Sequence, residues 1–256
     1  MGCLDGKVAI VTGAGQGLGA AIAELFAKEG AKVVGTGRTL SKVENAFAKV
    51  DESLQKNMIP LYHDVANRET WKDVIKTTLE KFGRIDILVN NAAVMINKPF
   101  LAVTEDDLKL AYDINTIGAI IGIQEVAVEM EKVGGGSVIN VASIGALVSG
   151  PADGGDTAYS ASKGGLTSVT RNAAIALADK KIRVNSLHPG GIMTPMLEEV
   201  FNAMPDLWES NKLASPLPPH ISDPIDIAGG ALYLASDLSK TVTGTKLVID
   251  CGYMAR

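Results

Sequence analysis

Only two cysteines occur in the 256 residues, Cys3 and Cys251, far apart in the chain. They make no disulfide framework and have no metal-ligand spacing, which fits a reducing compartment. Positive charge is not in excess either: 24 Lys and Arg stand against 29 Asp and Glu, for a formal net charge of −5. With no basic stripe, nucleic acid is not an expected partner. No uninterrupted apolar run is long enough to span a bilayer. The first residues, Met1-Gly2-Cys3-Leu4-Asp5-Gly6-Lys7, lack the charged head and apolar run of a signal peptide. Gly2 invites a myristoylation reading, but Gly6 stands where Ser or Thr is needed. These absences predict a soluble, cytoplasmic protein with no membrane partner. Hydrophobic residues, in contrast, make up 46% of the chain against 21% charged, which excludes disorder and provides for a large core.

Short β-branched runs alternate with helical stretches. The pattern predicts strands over 8–11, 32–34, 58–62, 85–89, 136–141, 182–187 and 246–249. Helices are expected over 19–28, 41–54 with Ser41 as N-cap, 71–82 and 158–178. A long helix starts near Thr104, which has capping-box spacing to Asp107. Over 193–211 the apolar residues Met193, Met196, Leu197, Val200, Phe201, Met204, Leu207 and Trp208 fall mostly three or four apart, an amphipathic helix. The strands are continuously apolar, which indicates a parallel sheet covered on both faces. The reading is therefore one α/β domain over 1–256, a doubly wound parallel sheet with helices on both faces. The loops at 149–156 and 215–220, rich in glycine and proline, are the kind that carry binding functions.

Val8-Ala9-Ile10-Val11-Thr12 runs directly into Gly13-Ala14-Gly15-Gln16-Gly17-Leu18-Gly19 and a helix. Gly13 can turn tightly off the strand, Gly17 lets backbone approach a pyrophosphate, and Gly19 allows close helix–sheet packing. The helix N-terminus offers unpaired N–H groups to the phosphates. Gly15-x-Gly17-x-x-Ala20 is an alternative register of the same dinucleotide turn. After the second strand no acidic residue occurs until Glu44, whereas Arg38 is placed to pair with a 2′-phosphate. NADP is the expected cofactor, with NAD the alternative.

Tyr159 and Lys163 stand one helical turn apart and share a helix face. A tyrosine titrates near pH ~10, and a neighbouring cation favours its phenolate. The pair is suited to moving a proton to or from an alcohol oxygen.

With these motifs in order along nearly all of its length, the chain resembles the short-chain dehydrogenase/reductase family. The cofactor turn matches at Thr12 to Gly19, the adenine-facing pair at Asp64-Val65, and the segment after the fourth strand at Asn90-Asn91-Ala92-Ala93. Asn115-Thr116-Ile117-Gly118, Ser143 with Tyr159 and Lys163, and Pro189-Gly190-Gly191-Ile192-Met193-Thr194 match the remaining motifs. The resemblance implies a Rossmann-type fold. It implies Tyr159 as general acid in ketone reduction and base in alcohol oxidation. Lys163 would lower the tyrosine pKa and hold the nicotinamide ribose, Ser143 would bond the substrate oxygen, and Asn115 would hold a water linking Lys163 to solvent. Gly13, Gln16, Gly17, Leu18, Gly19, Asn91, Ala92, Pro189, Gly190, Ile192 and Thr194 would line the cofactor. Leu197 and Trp208, on the amphipathic segment, would meet a neutral, largely apolar secondary alcohol or ketone. A 3-oxoacyl-thioester reductase and a hydroxysteroid or sugar-alcohol dehydrogenase are alternatives, and outside enzymes a nucleotide-sensing protein. A homotetramer is the family's common assembly, and small residues such as Ala119, Gly122, Ala127, Gly164, Ala173 and Ala176 would let helices of two subunits approach. The chain departs from the family pattern at Ala93, where glycine is usual, and at Gln16, where many NADP-preferring members have a basic residue. Its 16-residue spacing from Ser143 to Tyr159 is also long.

Overall fold

The computed structural model describes residues 2–149, 154–194 and 201–255. Its strands are β1 (Val8–Thr12), β2 (Lys32–Gly37), β3 (Met58–Tyr62), β4 (Ile87–Asn90), β5 (Gly136–Val141), β6 (Ile182–Pro189) and β7 (Lys246–Ile249). They form one parallel sheet in the order β3-β2-β1-β4-β5-β6-β7. The chain winds outward from β1 in one direction and from β4 in the other. A crevice therefore opens at the carboxyl ends of β1 and β4, where open α/β sheets bind their ligands.

The helices are α1 (Gly17–Lys28), α2 (Leu40–Phe47), α3 (Glu52–Gln55), α4 (Arg68–Phe82), α5 (Glu105–Tyr112), α6 (Gly118–Lys132), α7 (Thr157–Ala176), α8 (Pro205–Ala214) and α9 (Pro224–Ala235). Alternate strand residues face opposite layers. Ala9 and Val11 join Ile22 and Phe26 of α1 and Ile227 of α9. Ile10 joins Trp71 of α4, Val126 of α6 and Ala174 of α7. Burial on both faces is why these strands read as unbroken apolar runs.

Three expectations need correcting. The helix over 41–54 is two pieces. Thr39, not Ser41, is the N-cap of α2, which ends at Phe47. Asp51 then starts α3 by accepting from Ser53 N and Oγ at 2.8 and 2.6 Å, local bonds that compete with a continuous helix. The long helix after Thr104 keeps its capping box but is divided: α5, a π segment over Asp113–Ile117, then α6. The amphipathic helix over 193–211 is not one helix. Residues 195–200, with Met196, Leu197 and Val200, lie outside the described residues. Met204 is non-helical and α8 begins at Pro205, whose missing N–H suits a first turn. Met204 and Leu207 are 56% and 42% exposed, so no continuous apolar face runs along this segment.

Candidate active site

A cleft of about 390 Å³ occupies the crevice at the carboxyl ends of β1 and β4. Its floor is the turn that carries Gly13, Gln16, Gly17, Leu18 and Gly19 into α1. Gly13 has φ +69°, and a methyl built on it would stand 2.9 Å from Ala92 Cα and from Asn91 Nδ2. Gly17, at φ +54°, faces open space. At the start of α1, Gln16 makes no side-chain cap, so the first N–H groups of a 12-residue helix point into the cleft without a protein partner. Asn91 pins the turn from the next strand. Its Nδ2 donates to Thr12 O at 2.9 Å, while Thr12 Oγ1 accepts from Asn91 N and Ala92 N at 2.9 and 3.0 Å. One wall holds Asp64 and Val65, with Asp64 Oδ1 accepting from Ala66 N at 3.1 Å. The rim also holds Arg38 and Lys42. Neither forms a salt bridge among the described residues.

The cradle fits a dinucleotide: glycines where a side chain would collide, free N–H groups for a diphosphate, and free cations at the rim.

The reactive groups sit where β5 ends and α7 begins. Ser143 caps a single 3₁₀ turn, Ile144–Ala146, and its Oγ accepts from Gly145 N at 3.0 Å. The same serine stands near enough to the Tyr159 phenol to favour its ionisation. Lys163 is wholly buried and donates to Val141 O at 2.6 Å. Its Nζ lies 5.7 Å from the Tyr159 ring centre. Burial pushes the Lys163 ammonium down to about 7. Burial also raises the Tyr159 pKa above its ordinary value; the Ser143 hydroxyl works against this and the Asp156 charge adds to it. The expected lowering of the tyrosine by Lys163 is therefore not met, because desolvation penalises both charged forms.

Behind these groups stand two clamps. Asn115, in the π segment, uses its whole side-chain amide: Oδ1 accepts from Val94 N at 2.8 Å, and Nδ2 donates to Val94 O and Ser162 Oγ at 2.9 Å each. Ser162 Oγ donates in turn to Tyr159 O at 2.7 Å. The loop after β4 is thereby tied to the turn of α7 that carries the tyrosine. His188, fully buried on β6, donates from Nδ1 to Ser143 O at 2.9 Å and pairs through Nε2 with Ser186 Oγ at 2.9 Å. Burial lowers its pKa, keeping the ring neutral.

A family model described as enoyl-(acyl carrier protein) reductase matches residues 13–254. The NADP-dependent (R)-specific alcohol dehydrogenase of Lentilactobacillus kefiri is 38% identical over 256 residues, covering 99% of this chain and 98% of that one. A cyclopentanol dehydrogenase of Comamonas sp. is 34% identical over 256 residues, covering 100% of both. Among solved structures, a 7α-hydroxysteroid dehydrogenase complexed with NADH and 7-oxo glycochenodeoxycholic acid has a TM-score of 0.89 at 33% identity, covering 97% of this chain and 94% of that chain. The chain belongs to the short-chain dehydrogenase/reductase family. It is an oxidoreductase of the kind that uses a nicotinamide dinucleotide. The nucleotide-sensor alternative is set aside.

In this short-chain dehydrogenase the described sequence-derived residues fall into three groups and an outlier. Gly13, Gln16, Gly17, Leu18, Gly19, Arg38, Asp64, Val65, Asn91 and Ala92 line the cleft. Asn115 ties through Ser162 to the helix turn of Tyr159, and Ser143 and Lys163 stand beside the tyrosine. Pro189 ends β6 beside that cluster, Gly190 N donates to Ile249 O at 2.8 Å, and Ile192 bridges to Ser222. Thr194 is exposed at the edge of the described residues and is not without a partner. Trp208 is the outlier. It packs on Phe201 and His220, with ring centres 5.1 and 6.1 Å apart, and does not line the cleft. Sequence reasoning missed Lys42, whose signal was its place one helical turn past Arg38. It also passed over His188 and Asp156.

No helix of the described residues is long and apolar enough to cross a membrane. No group of three or more potential metal ligands occurs among them.

Proposed function

We propose that the enzyme is an NADP-preferring reductase or dehydrogenase acting on a neutral, largely apolar secondary alcohol/ketone pair, with residues 1–256 as one cofactor-binding and catalytic domain. The carrying observation is Ser143 and buried Lys163 gathered beside Tyr159, next to a cleft whose rim carries Arg38 and Lys42. When bound, the dinucleotide supplies the hydride and, oxidised, a positive charge. The first N–H groups of α1 would hold its diphosphate, and Arg38 with Lys42 would pair a 2′-phosphate. Asp64 and Val65 would flank the adenine, and the segment from Pro189 to Thr194 would border the nicotinamide end.

In reduction, Tyr159 Oη gives its proton to the ketone oxygen, which Ser143 Oγ also bonds where negative charge develops. In oxidation Tyr159 takes the proton back. Lys163 holds the ribose hydroxyls and stabilises the phenolate as it forms. Asn115 fixes the helix turn beneath the tyrosine. Its amide is fully used, so a water relay from Lys163 would run through its backbone carbonyl in the π segment, where such segments often serve function.

We also propose a cytoplasmic homotetramer built through α5, α6 and α7. The small residues named from sequence are not all at that surface. Ala119, Gly122 and Ala127 are buried in the chain's own layer, and a methyl on Gly122 would stand 2.5 Å from the Trp71 ring. Leu110, Ile117, Val128 and Ile175, 43% to 80% exposed, are the residues offered to a partner subunit. Light scattering that finds a stable monomer at micromolar concentration would remove the tetramer.

The functional reading is tested by kcat/KM for NADPH and NADH with a panel of cyclic and aryl ketones, a sugar and a carrier-bound β-ketoacyl thioester. NADPH with the apolar ketones should give the highest values. A clear preference for the thioester or for NADH would overturn the corresponding half of the proposal.

A further inference from the structure

Asp156 occupies the N-cap position of α7, where an aspartate ordinarily accepts from the helix's first N–H groups. Here its carboxylate makes no cap bond. Oδ2 accepts instead from Ser160 Oγ at 2.9 Å, on the side of the helix that carries the tyrosine. The residue is half-buried and forms no ion pair among the described residues.

Its place in the site follows from Gly145. A methyl built there would stand 2.9 Å from Ser160 Oγ, 3.4 Å from Asp156 Oδ2 and 3.5 Å from Ser143 Oγ. The carboxylate and the serine that receives the substrate oxygen therefore border the same small space, kept open because residue 145 is glycine. The Asp156 charge also reaches the Tyr159 phenol, where it disfavours ionisation. A half-buried carboxylate beside a proton-transfer pair, with Ser160 Oγ as its one side-chain donor among the described residues, opposes the chemistry less when a further donor takes up its remaining acceptor capacity. Within the site, the substrate is what remains to do so.

We propose that Asp156 is a substrate-binding residue that accepts a hydrogen bond from a hydroxyl carried one or two carbons from the reacting carbonyl. This rests on the reductase reading above and refines it: the substrate is an apolar frame with one polar donor beside the reacting carbon. An ammonium would satisfy the same acceptor, and an anionic group at that position would be repelled.

The test compares wild type, Asp156→Asn and Asp156→Ala on acetophenone and on its α-hydroxy and α-amino derivatives, with NADPH. The readout is the ratio of kcat/KM for each derivative to that for acetophenone. Any effect of the substitution on Tyr159 itself cancels in that ratio. Removing a hydrogen bond to a charged acceptor should lower the α-hydroxy ratio by roughly tenfold or more in Asp156→Ala, and by less in Asp156→Asn, which keeps a neutral acceptor. A larger wild-type ratio for the α-hydroxy than for the α-amino ketone names a hydroxyl as the donor, and the reverse names an ammonium. The same ratios in all three proteins, with acetophenone reduced normally, would overturn the role of Asp156 and leave the reductase reading standing. No reduction of any ketone by wild type would remove both.

Discussion

The sheet has two poles with hollows of similar size, and they treat their charged groups in opposite ways. At the amino ends of β1, β4, β5 and β6 a hollow of about 470 Å³ is lined by Lys7, Arg84, Asp86 and Arg183. Lys7, Arg84, Asp86 and Arg183 are paired within the protein there, while Lys181 and Lys240 form no ion pair among the described residues. Asp86 accepts from Val8 N at 2.9 Å and from Arg84 Nε and Nη2 at 2.8 and 2.6 Å. Arg183 Nη2 donates to Leu234 O at 2.8 Å. Gly135 N and Gly136 N donate to Met130 O and Lys181 O at 2.9 and 3.2 Å. At the carboxyl ends the α1 N–H groups, Arg38, Lys42 and Asp156 are without ionic or capping partners among the described residues, and a lysine is buried beside a tyrosine. The larger hollow is the one whose buried and half-buried charged groups, Asp86 and Arg183, are spent on the protein itself. Size does not locate the chemistry here; unspent hydrogen-bonding and charge do.

The contrast breaks most sharply at Tyr159. Tyr159→Phe keeps the ring and removes the proton donor, so turnover should fall by roughly two to four orders of magnitude while cofactor affinity and thermal stability change little. Steady-state kinetics with a melting curve checks both. Near-normal turnover would take Tyr159 out of the mechanism.

Lys163 gives the next effect, and it has the opposite sign on stability. Its folded pKa of about 7 lies below the ordinary 10.5, so between those values the unfolded chain binds a proton that the folded one has lost. Stability therefore rises with pH across that window, and the full penalty is present below about pH 7. Lys163→Met should stabilise the cofactor-free protein by on the order of 2–4 kcal/mol at pH 6, with the gain fading toward pH 10, while abolishing turnover. Denaturant unfolding across that pH range would show it. A gain independent of pH would place the cause elsewhere.

At the satisfied pole the expectation reverses. Asp86→Ala leaves the buried Val8 N–H without an acceptor and frees Arg84, costing about 2 kcal/mol, or roughly 4–8 °C in melting temperature. Turnover measured well below melting should stay within about twofold, the range of a surface change remote from the site. A loss of rate without a loss of stability would erase the distinction between the poles.

The smallest effect sharpens the cofactor end. Arg38→Ala and Lys42→Ala should each raise KM for NADPH by about tenfold through loss of a charge-assisted contact, with little change for NADH. Equal effects on both dinucleotides would mean that neither cation reads the 2′-phosphate.

Much of this was legible in the sequence because it rests on local rules. Buried parallel strands must be apolar on both sides, so Val8 to Val11 and Gly136 to Val141 announce themselves. The turn from Gly13 to Gly19 needs glycine for reasons visible in the chain: a positive φ at Gly13 and Gly17, and the approach of Gly19 to Gly13 O, 2.2 Å from where its methyl would be. Tyr159 and Lys163 share a helix face by spacing alone. What stayed hidden depends on partners distant in sequence. His188 matters because Ser143, 45 residues earlier, ends the neighbouring strand. Lys42 lines the cleft from the first turn of α2, which Thr39 rather than Ser41 caps. The pKa of Tyr159 is set by burial, which no spacing reveals. The segment from Met193 to Asn211 misled because apolar period outweighed Pro205, a residue that starts a helix rather than continuing one.

The account's central claim is hydride delivery to a carbonyl carbon at the unpaired pole, with the proton coming from Tyr159. The most direct measurement reduces an apolar ketone with NADPH dideuterated at C4 of the nicotinamide and reads the alcohol by mass spectrometry. The account predicts one deuterium on the carbinol carbon of every product molecule from the wild type, and product formation slowed by roughly two orders of magnitude or more in Tyr159→Phe. Product without deuterium, or labelled product formed equally fast by both proteins, would contradict it.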